Sequence, residues 1–472
     1  MYCGACHAFP QPNLLDKKTW LQGVLPQMAP RVGVSTGTLF NERFRNPQMV
    51  VLDKAVSRVD WDKIVAFYRD SAPDRLPEQS FDAPLQLDPP FFATSAFVPR
   101  LPSSGIVTVL AADTVRQRIF VGEAGSNTLR VFGFDRRLLS SVTLGSPPTG
   151  VIADGKHLLV LESGILDPND EPKGSLVRYE FGAGDSLHLD KVLIDSLFRP
   201  VFVQPFDFDH DGVDEYVICE FGNNRGRFAL YKYDGATYER HVLDATPGAI
   251  RFEIRDMTGD GAPDIVALFA QGDERIVLFE NDGHGNFFRV HILALFPPVY
   301  GSMYFALHDF NGDGKPDILY VNGDNFDYSR ILKPYHGVRI LENDGKNRFH
   351  ERYFFPIYGA AQALAIDFDK DGDLDIIAAS NFADLKGHPE RGIVYLENRG
   401  GYRFRPYDFT VAGGNQWNVM AAADLDKDGW TDVLIGSMNL ATIARVQQRF
   451  TKNPSDSGRD AILVFGNRMK PK

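Results

Sequence analysis

The sequence predicts a mainly β protein, a closed seven-bladed propeller preceded by a small all-α domain. Three observations predict it: an acidic nine-residue loop that recurs five times, short apolar strands that recur with it, and amphipathic helical segments confined to about the first 75 residues. The chain has 472 residues, a formal charge of −12 and 3 cysteines. Length alone suggests about three domains, but a repeat folds many residues into one unit. An apolar content of 44% with 24% charged residues supplies ample core and does not fit a disordered chain. No run of 18 apolar residues exists, which argues against a transmembrane helix. An acidic balance without a basic run argues against nucleic acid or an anionic membrane surface as the main partner.

Two of the cysteines open the chain, as Cys3-Gly4-Ala5-Cys6-His7. C-x-x-C-H suits covalent attachment of one c-type haem: both thiols lie on one helical turn and form thioethers, and the adjacent His reaches the iron. A thioredoxin-like pair would need a βαβ setting, whereas Pro-rich and then helical sequence follows. A zinc site would need a second ligand pair nearby, and none follows at zinc-finger spacing.

The residues after the motif carry two helical patterns. Leu15, Trp20, Leu21, Val24 and Leu25 recur at helical spacing between Leu14 and Met28, and Trp61, Ile64, Val65 and Tyr68 do so between Asp60 and Arg69. Asp60 is the expected N-cap of the second helix, and Pro73 follows its end. Residues 1–75 resemble a minimal class I cytochrome c, with the haem motif first and a closing helix last. That resemblance implies a Met thioether as distal ligand. Met28, which ends the Trp20 segment, is the preferred candidate over Met49, each following a Pro-Gln pair. Core filling is the commoner role of either Met. Only Met1 and Tyr2 precede Cys3, so no signal peptide is visible, although c-type haem is attached after export. The expectation is a trimmed version of a longer precursor from a periplasmic or extracellular protein.

Residues 76–104 read as a Pro-rich connector, punctuated by Pro77, Pro84, Pro89, Pro90, Pro99 and Pro102. Its one strand-like run, Phe91 to Val98, is the candidate to close a ring. Residues 105–472 hold the repeat. Five loops begin at residues 207, 256, 309, 367 and 424: DFDHDGVDE, DMTGDGAPD, DFNGDGKPD, DFDKDGDLD and DLDKDGWTD. An apolar strand precedes each and another follows; a third runs into an ENDG-like turn and a fourth carries aromatics. Two degenerate blades, from Ile106 to Val142 and from Thr149 to Ile194, bring the count to seven. The last blade lacks an outer strand, which Phe91 to Val98 would supply, removing the free edges.

In each loop, positions 1, 3, 5 and 9 offer oxygen ligands, position 7 a carbonyl, and Gly at position 6 permits the turn. The candidate ligands are Asp207, Asp209, Asp211 and Glu215; Asp256, Thr258, Asp260 and Asp264; Asp309, Asn311, Asp313 and Asp317; Asp367, Asp369, Asp371 and Asp375; and Asp424, Asp426, Asp428 and Asp432. Ca²⁺ suits six to eight such oxygens, whereas Mg²⁺ demands stricter octahedral geometry. About five Ca²⁺ ions are expected. Asp and Gly are also ordinary turn formers, but five loops in register exceed that explanation. These loops resemble the calcium loops of FG-GAP/VCBS repeats, the blades of integrin-α-like propellers. Thr258 departs from the pattern at position 3 and Glu215 at position 9, and the Thr258 loop is expected to bind more weakly.

The resemblance implies that the calcium loops share one face and the longest connections the other. Those connections, at 322–337, 380–392 and 437–459, carry His336 and His388; Arg251, Tyr300, Tyr358 and Trp417 lie near strand junctions facing the channel. Packing is the commoner role for each of these six. Cys219 reads as a buried strand thiol. The expected function is electron transfer and binding rather than catalysis: a haem domain with an unidentified redox partner, joined to a propeller that docks a protein or polysaccharide. The alternatives are a haem-linked oxidoreductase or carbohydrate-active enzyme with its site on the propeller face, and a non-redox adhesion or scaffold protein. Against an enzyme, no nucleophile–base pair and no Gly-rich cofactor loop is found.

Overall fold

In the computed structural model, the residues described are 7–34, 56–81, 85–97, 106–324, 331–413, 415–438 and 461–469. Seven antiparallel meanders radiate from an axis among them. The blades begin at inner strands Val107–Asp113, Pro148–Asp154, Pro200–Phe206, Ala249–Arg255, Ser302–His308, Ala360–Ile366 and Trp417–Ala423. Second strands such as Asp264–Phe269 and Asp375–Ser380 are buried at every position, because a neighbouring blade covers each face. Outer strands such as Arg289–Leu295 are largely exposed and correspondingly mixed in polarity.

The core therefore lies between blades. Phe208, Val217 and Phe228 of the third blade pack with Phe252, Ile265 and Phe279 of the fourth. Val107, Ile119 and Phe132 of the first meet Leu434 and Val464 of the seventh, which closes the ring. Every inner strand pairs with its second strand through a register shift at its first residues, as between Val107 and Val109 or Trp417 and Val419. Each such bulge bends the strand at the same end of its blade.

The seventh blade takes its outer strand from far upstream: Phe92–Ala96 pairs antiparallel with Ile462–Asn467. The preceding connector is not merely extended. Gln86–Leu87 adds to the outer strand Phe404–Asp408 of the sixth blade as a parallel fifth strand, Phe81 packs on Phe355, and the Arg391 guanidinium covers the Phe81 ring.

The N-terminal residues form one helical unit. A helical run extends over residues 17–32, with a π turn at Trp20–Val24, and a second helix spans Arg58–Ser71. The N-cap of that helix is Ser57, whose hydroxyl accepts the Asp60 N–H at 3.1 Å, not Asp60 as the sequence suggested. Asp60 sits one turn in, where its charge favours the helix N-terminus. Trp20 and Tyr68 are buried side by side; the indole donates to Pro12 O and the phenol to Pro10 O. Val299 and Ile331 of the propeller pack against this helical core. Among the described residues no helix is long and apolar enough to cross a membrane.

Candidate metal centres

The five acidic loops join inner to second strands, so they share one face of the ring. Their backbone is built by left-handed residues at positions 4 and 6. Position 6 is Gly throughout, with φ of 86°, 89°, 78°, 100° and 88° at Gly212, Gly261, Gly314, Gly372 and Gly429. Position 4 is Gly259 or Gly312 in two loops, but His210, Lys370 and Lys427 adopt φ of 59°, 57° and 65° in the others. This curl points loop amides inward at the first aspartate. Asp309 accepts the Gly312, Asp313 and Gly314 N–H groups at 2.8, 3.2 and 2.8 Å, and Asp207 those of Asp211 and Gly212 at 3.1 and 3.0 Å.

Position 9 has a second task. Asp264 accepts the Met257 N–H on one oxygen and the Asn281 N–H on the other, both at 2.9 Å. Asp317, Asp375 and Asp432 repeat the brace with Asn343, Asn398 and Asn467. Each carboxylate thereby ties its loop to the third strand of the same blade. In the sequence the ENDG stretches read only as turns, and this role of the Asn emerges only from the fold. The signal was there: Asn recurs before the turn in the fourth to seventh blades, and the third has Tyr233 instead.

In three loops the acidic side chains converge. Asp207, Asp209 and Glu215 bring one oxygen each within 4.8 Å of the others, as do Asp367, Asp369 and Asp371, and Asp424, Asp426 and Asp432. The loops with Thr258 and Asn311 at position 3 form no such acidic triad among the described residues. Burial, with neighbouring carboxylates adding to it, pushes Asp432 up to about 6 and Asp375 to about 7, and raises Glu215, Asp264 and Asp317. Asp424 Oδ1 and Asp373 Oδ1 are buried and accept no hydrogen bond. Clustered hard oxygens with unfilled acceptor capacity are the donor set a divalent cation of the Ca²⁺ type takes. The sixth and seventh loops also touch: Lys370 donates to Gly429 O at 2.6 Å and lies over the Trp430 ring.

Cys3, Cys6 and Met49 lie outside the described residues. His7 donates its Nδ1–H to Ala8 O at 2.9 Å, since a carbonyl only accepts, and this leaves the Nε2 lone pair as the available ligand atom. Met28 is half-buried against the helical core.

On the opposite face the recognition candidates are mostly structural. His336 is 1% exposed, so no partner reaches it from solvent. Trp417 is buried between the sixth and seventh blades and donates to Ala412 O. Tyr300 stacks on Tyr335, and the Tyr358 hydroxyl accepts the Gln79 N–H. Arg251 lies over the Phe202 and Tyr304 rings and donates to Phe305 O, spanning the third to fifth blades. His388 is exposed and pairs with Glu390. Cys219 is fully buried.

The sequence profile of the FG-GAP-like repeat matches residues 256–320 and 367–435, which hold four of the five loops. The chain is a seven-bladed β-propeller that carries FG-GAP-like repeats. No curated protein matches the sequence. Among solved structures, a protein from Lactobacillus plantarum is similar at 10% identity and a TM-score of 0.43, over 63% of this chain and 82% of that one. The Dos1 propeller is similar at 9% identity and a TM-score of 0.44, over 76% of each chain.

Proposed function

We propose that this is an exported c-type haem electron-transfer protein whose calcium-stabilised propeller serves as a binding or docking module. The observation that carries the propeller half of this reading is the convergence of three carboxylates in each of three loops on one face. Ca²⁺ bound there removes the mutual repulsion of those groups and fixes the loop face, leaving the opposite face, with the longest connections, for a protein or polysaccharide partner. The FG-GAP-like repeats favour a binding or scaffold module over a catalytic one.

The haem half rests on the C-x-x-C-H sequence and on the orientation of His7. Cys3 and Cys6 would tether one haem, His7 Nε2 would be its proximal ligand and Met28 its distal one. A bound haem would supply a one-electron couple, raised in potential by a thioether ligand relative to a second imidazole. Haem of this type would be attached after export, in the periplasm or outside the cell. Expression of the chain behind an export signal in a host with c-type maturation, followed by a pyridine haemochrome spectrum, tests it. A c-type α-band lost in Cys6→Ser supports the reading; its absence from the wild type leaves the propeller as a scaffold alone.

A further inference from the structure

A narrow cavity opens between the fifth and sixth blades on the face opposite the acidic loops. Phe355 and Ile357 at the end of the fifth blade, Val394 of the sixth, Phe81 of the connector, and Ala383 and Asp384 of the 380–392 connection wall it. Its volume is about 10 Å³, room for one water-sized group. Asp408, the last residue of the outer strand Phe404–Asp408, also lines it and is 2% exposed. Asp408 Oδ2 accepts from Arg391 Nε at 3.4 Å, a long contact, and the same guanidinium lies over the Phe81 ring. Asp408 Oδ1 is buried and accepts no hydrogen bond. Burial pushes this carboxyl up to about 6, and Arg391 offsets only part of that shift. A buried carboxylate oxygen left without a donor is costly, and nothing among the described residues supplies one.

We infer that this cavity takes the ammonium of a lysine side chain presented by a protein partner, the amine donating to Asp408 Oδ1 and the methylenes lying against Phe355, Ile357 and Val394. The inference deepens the docking reading above and rests on it. Charge favours a cation: the carboxylates of Asp408, Asp384 and Glu390 stand in and beside the cavity against the Arg391 guanidinium and the His388 imidazole. Size favours a primary ammonium, which is close to a water molecule in bulk, over the planar fork of a guanidinium. The apolar wall suits the unbranched stem of a lysine, whereas an amine carried on a sugar ring brings the ring against that wall. The same wall withholds the six to eight oxygens that Ca²⁺ takes.

Saturation-transfer NMR on the full chain with n-butylamine at neutral pH tests this, with n-butanol as the neutral probe of equal length and glucosamine as the ring-borne amine. n-Butylamine is expected to bind about tenfold or more tightly than n-butanol, the increment of a charge-assisted hydrogen bond. Asp408→Asn, which changes the charge and hardly the shape, is expected to erase that difference. Ala383→Leu, at a half-buried wall position, is expected to exclude both probes and keeps the test open should Asp408→Asn fail to fold. n-Butylamine that binds no better than n-butanol, or that binds Ala383→Leu or Asp408→Asn as it binds the wild type, overturns the lysine pocket and leaves docking through the other connections of that face in place. Glucosamine that binds as tightly as n-butylamine overturns the lysine assignment in favour of an amino-sugar polymer.

Discussion

Asp375 and Asn398 hold the sixth blade together across its loop: Asp375 Oδ1 accepts the Asn398 N–H at 2.8 Å, and Asn398 Nδ2 donates to Leu374 O at 3.0 Å. The other Asp375 oxygen accepts the Tyr395 hydroxyl at 2.6 Å and the Phe368 N–H at 3.3 Å. The same aspartate is thus a strut of the blade as well as a candidate ligand. A cation would bind to a loop that is already shaped.

Because that strut is buried, its removal leaves three donors without an acceptor. Asp375→Ala is expected to destabilise the propeller by about 3 kcal/mol or more, even in chelator. Asp371→Ala, at an exposed position of the same loop, is expected to cost little in chelator and to lose the calcium increment instead. Denaturant unfolding of both variants, with and without calcium, checks the split.

His210 occupies a left-handed position that Gly259 and Gly312 fill in the next two loops. Its side chain is exposed, so the strained backbone has no compensating burial. His210→Gly is expected to stabilise the protein by up to about 1 kcal/mol, the relief of Cβ strain being partly offset by chain entropy. A fall in the denaturation midpoint would show that the histidine makes a compensating contact.

Glu274 is buried beside the fifth blade and accepts hydrogen bonds from Gly301 N, Ser302 N and Ser302 Oγ. Burial outweighs those bonds and pushes its carboxyl from 4.5 up to about 7. A carboxyl raised on folding contributes stability that is complete below about pH 4.5 and lost as pH rises through 7. Relative to Glu274→Gln, the wild type should therefore lose about 3 kcal/mol between pH 4.5 and pH 8. His308 opposes this: burial, aided by Arg255 and Arg251, lowers it to about 4, so its stabilising contribution is lost as pH falls. The wild type alone should show a flatter profile than the difference between the two proteins. Midpoints for both at several pH values, in constant chelator, measure it.

The repeat and its loops were legible because their signal is local: glycine at a left-handed position, carboxylates two residues apart, apolar runs on either side. Even the closing strand, Phe92–Ala96, could be anticipated from an outer strand missing in the last blade. Other features depend on contacts between distant residues. Lys232 reads as an ordinary strand lysine until the fold sets it against Asp209. Gln86–Leu87 has too few residues to show a period, and its parallel pairing is set by where the connector crosses the sixth blade. Ser57 lay one turn before the segment that looked helical, and Asp60 was the more conspicuous cap. His336 looked like a loop histidine, but the fold buries it beneath the connector, where Gln79 Nε2 donates to its carbonyl at 3.0 Å.

With calcium in the acidic loops, the stability of the propeller depends on the ion. Scanning calorimetry of the full chain in calcium and in chelator tests this most directly. The expected result is a midpoint several degrees or more higher in calcium, reversed by chelation and reduced by Asp367→Asn or Asp424→Asn, because an ion that binds only the folded state stabilises it. Superimposable melts in calcium and in chelator would contradict it.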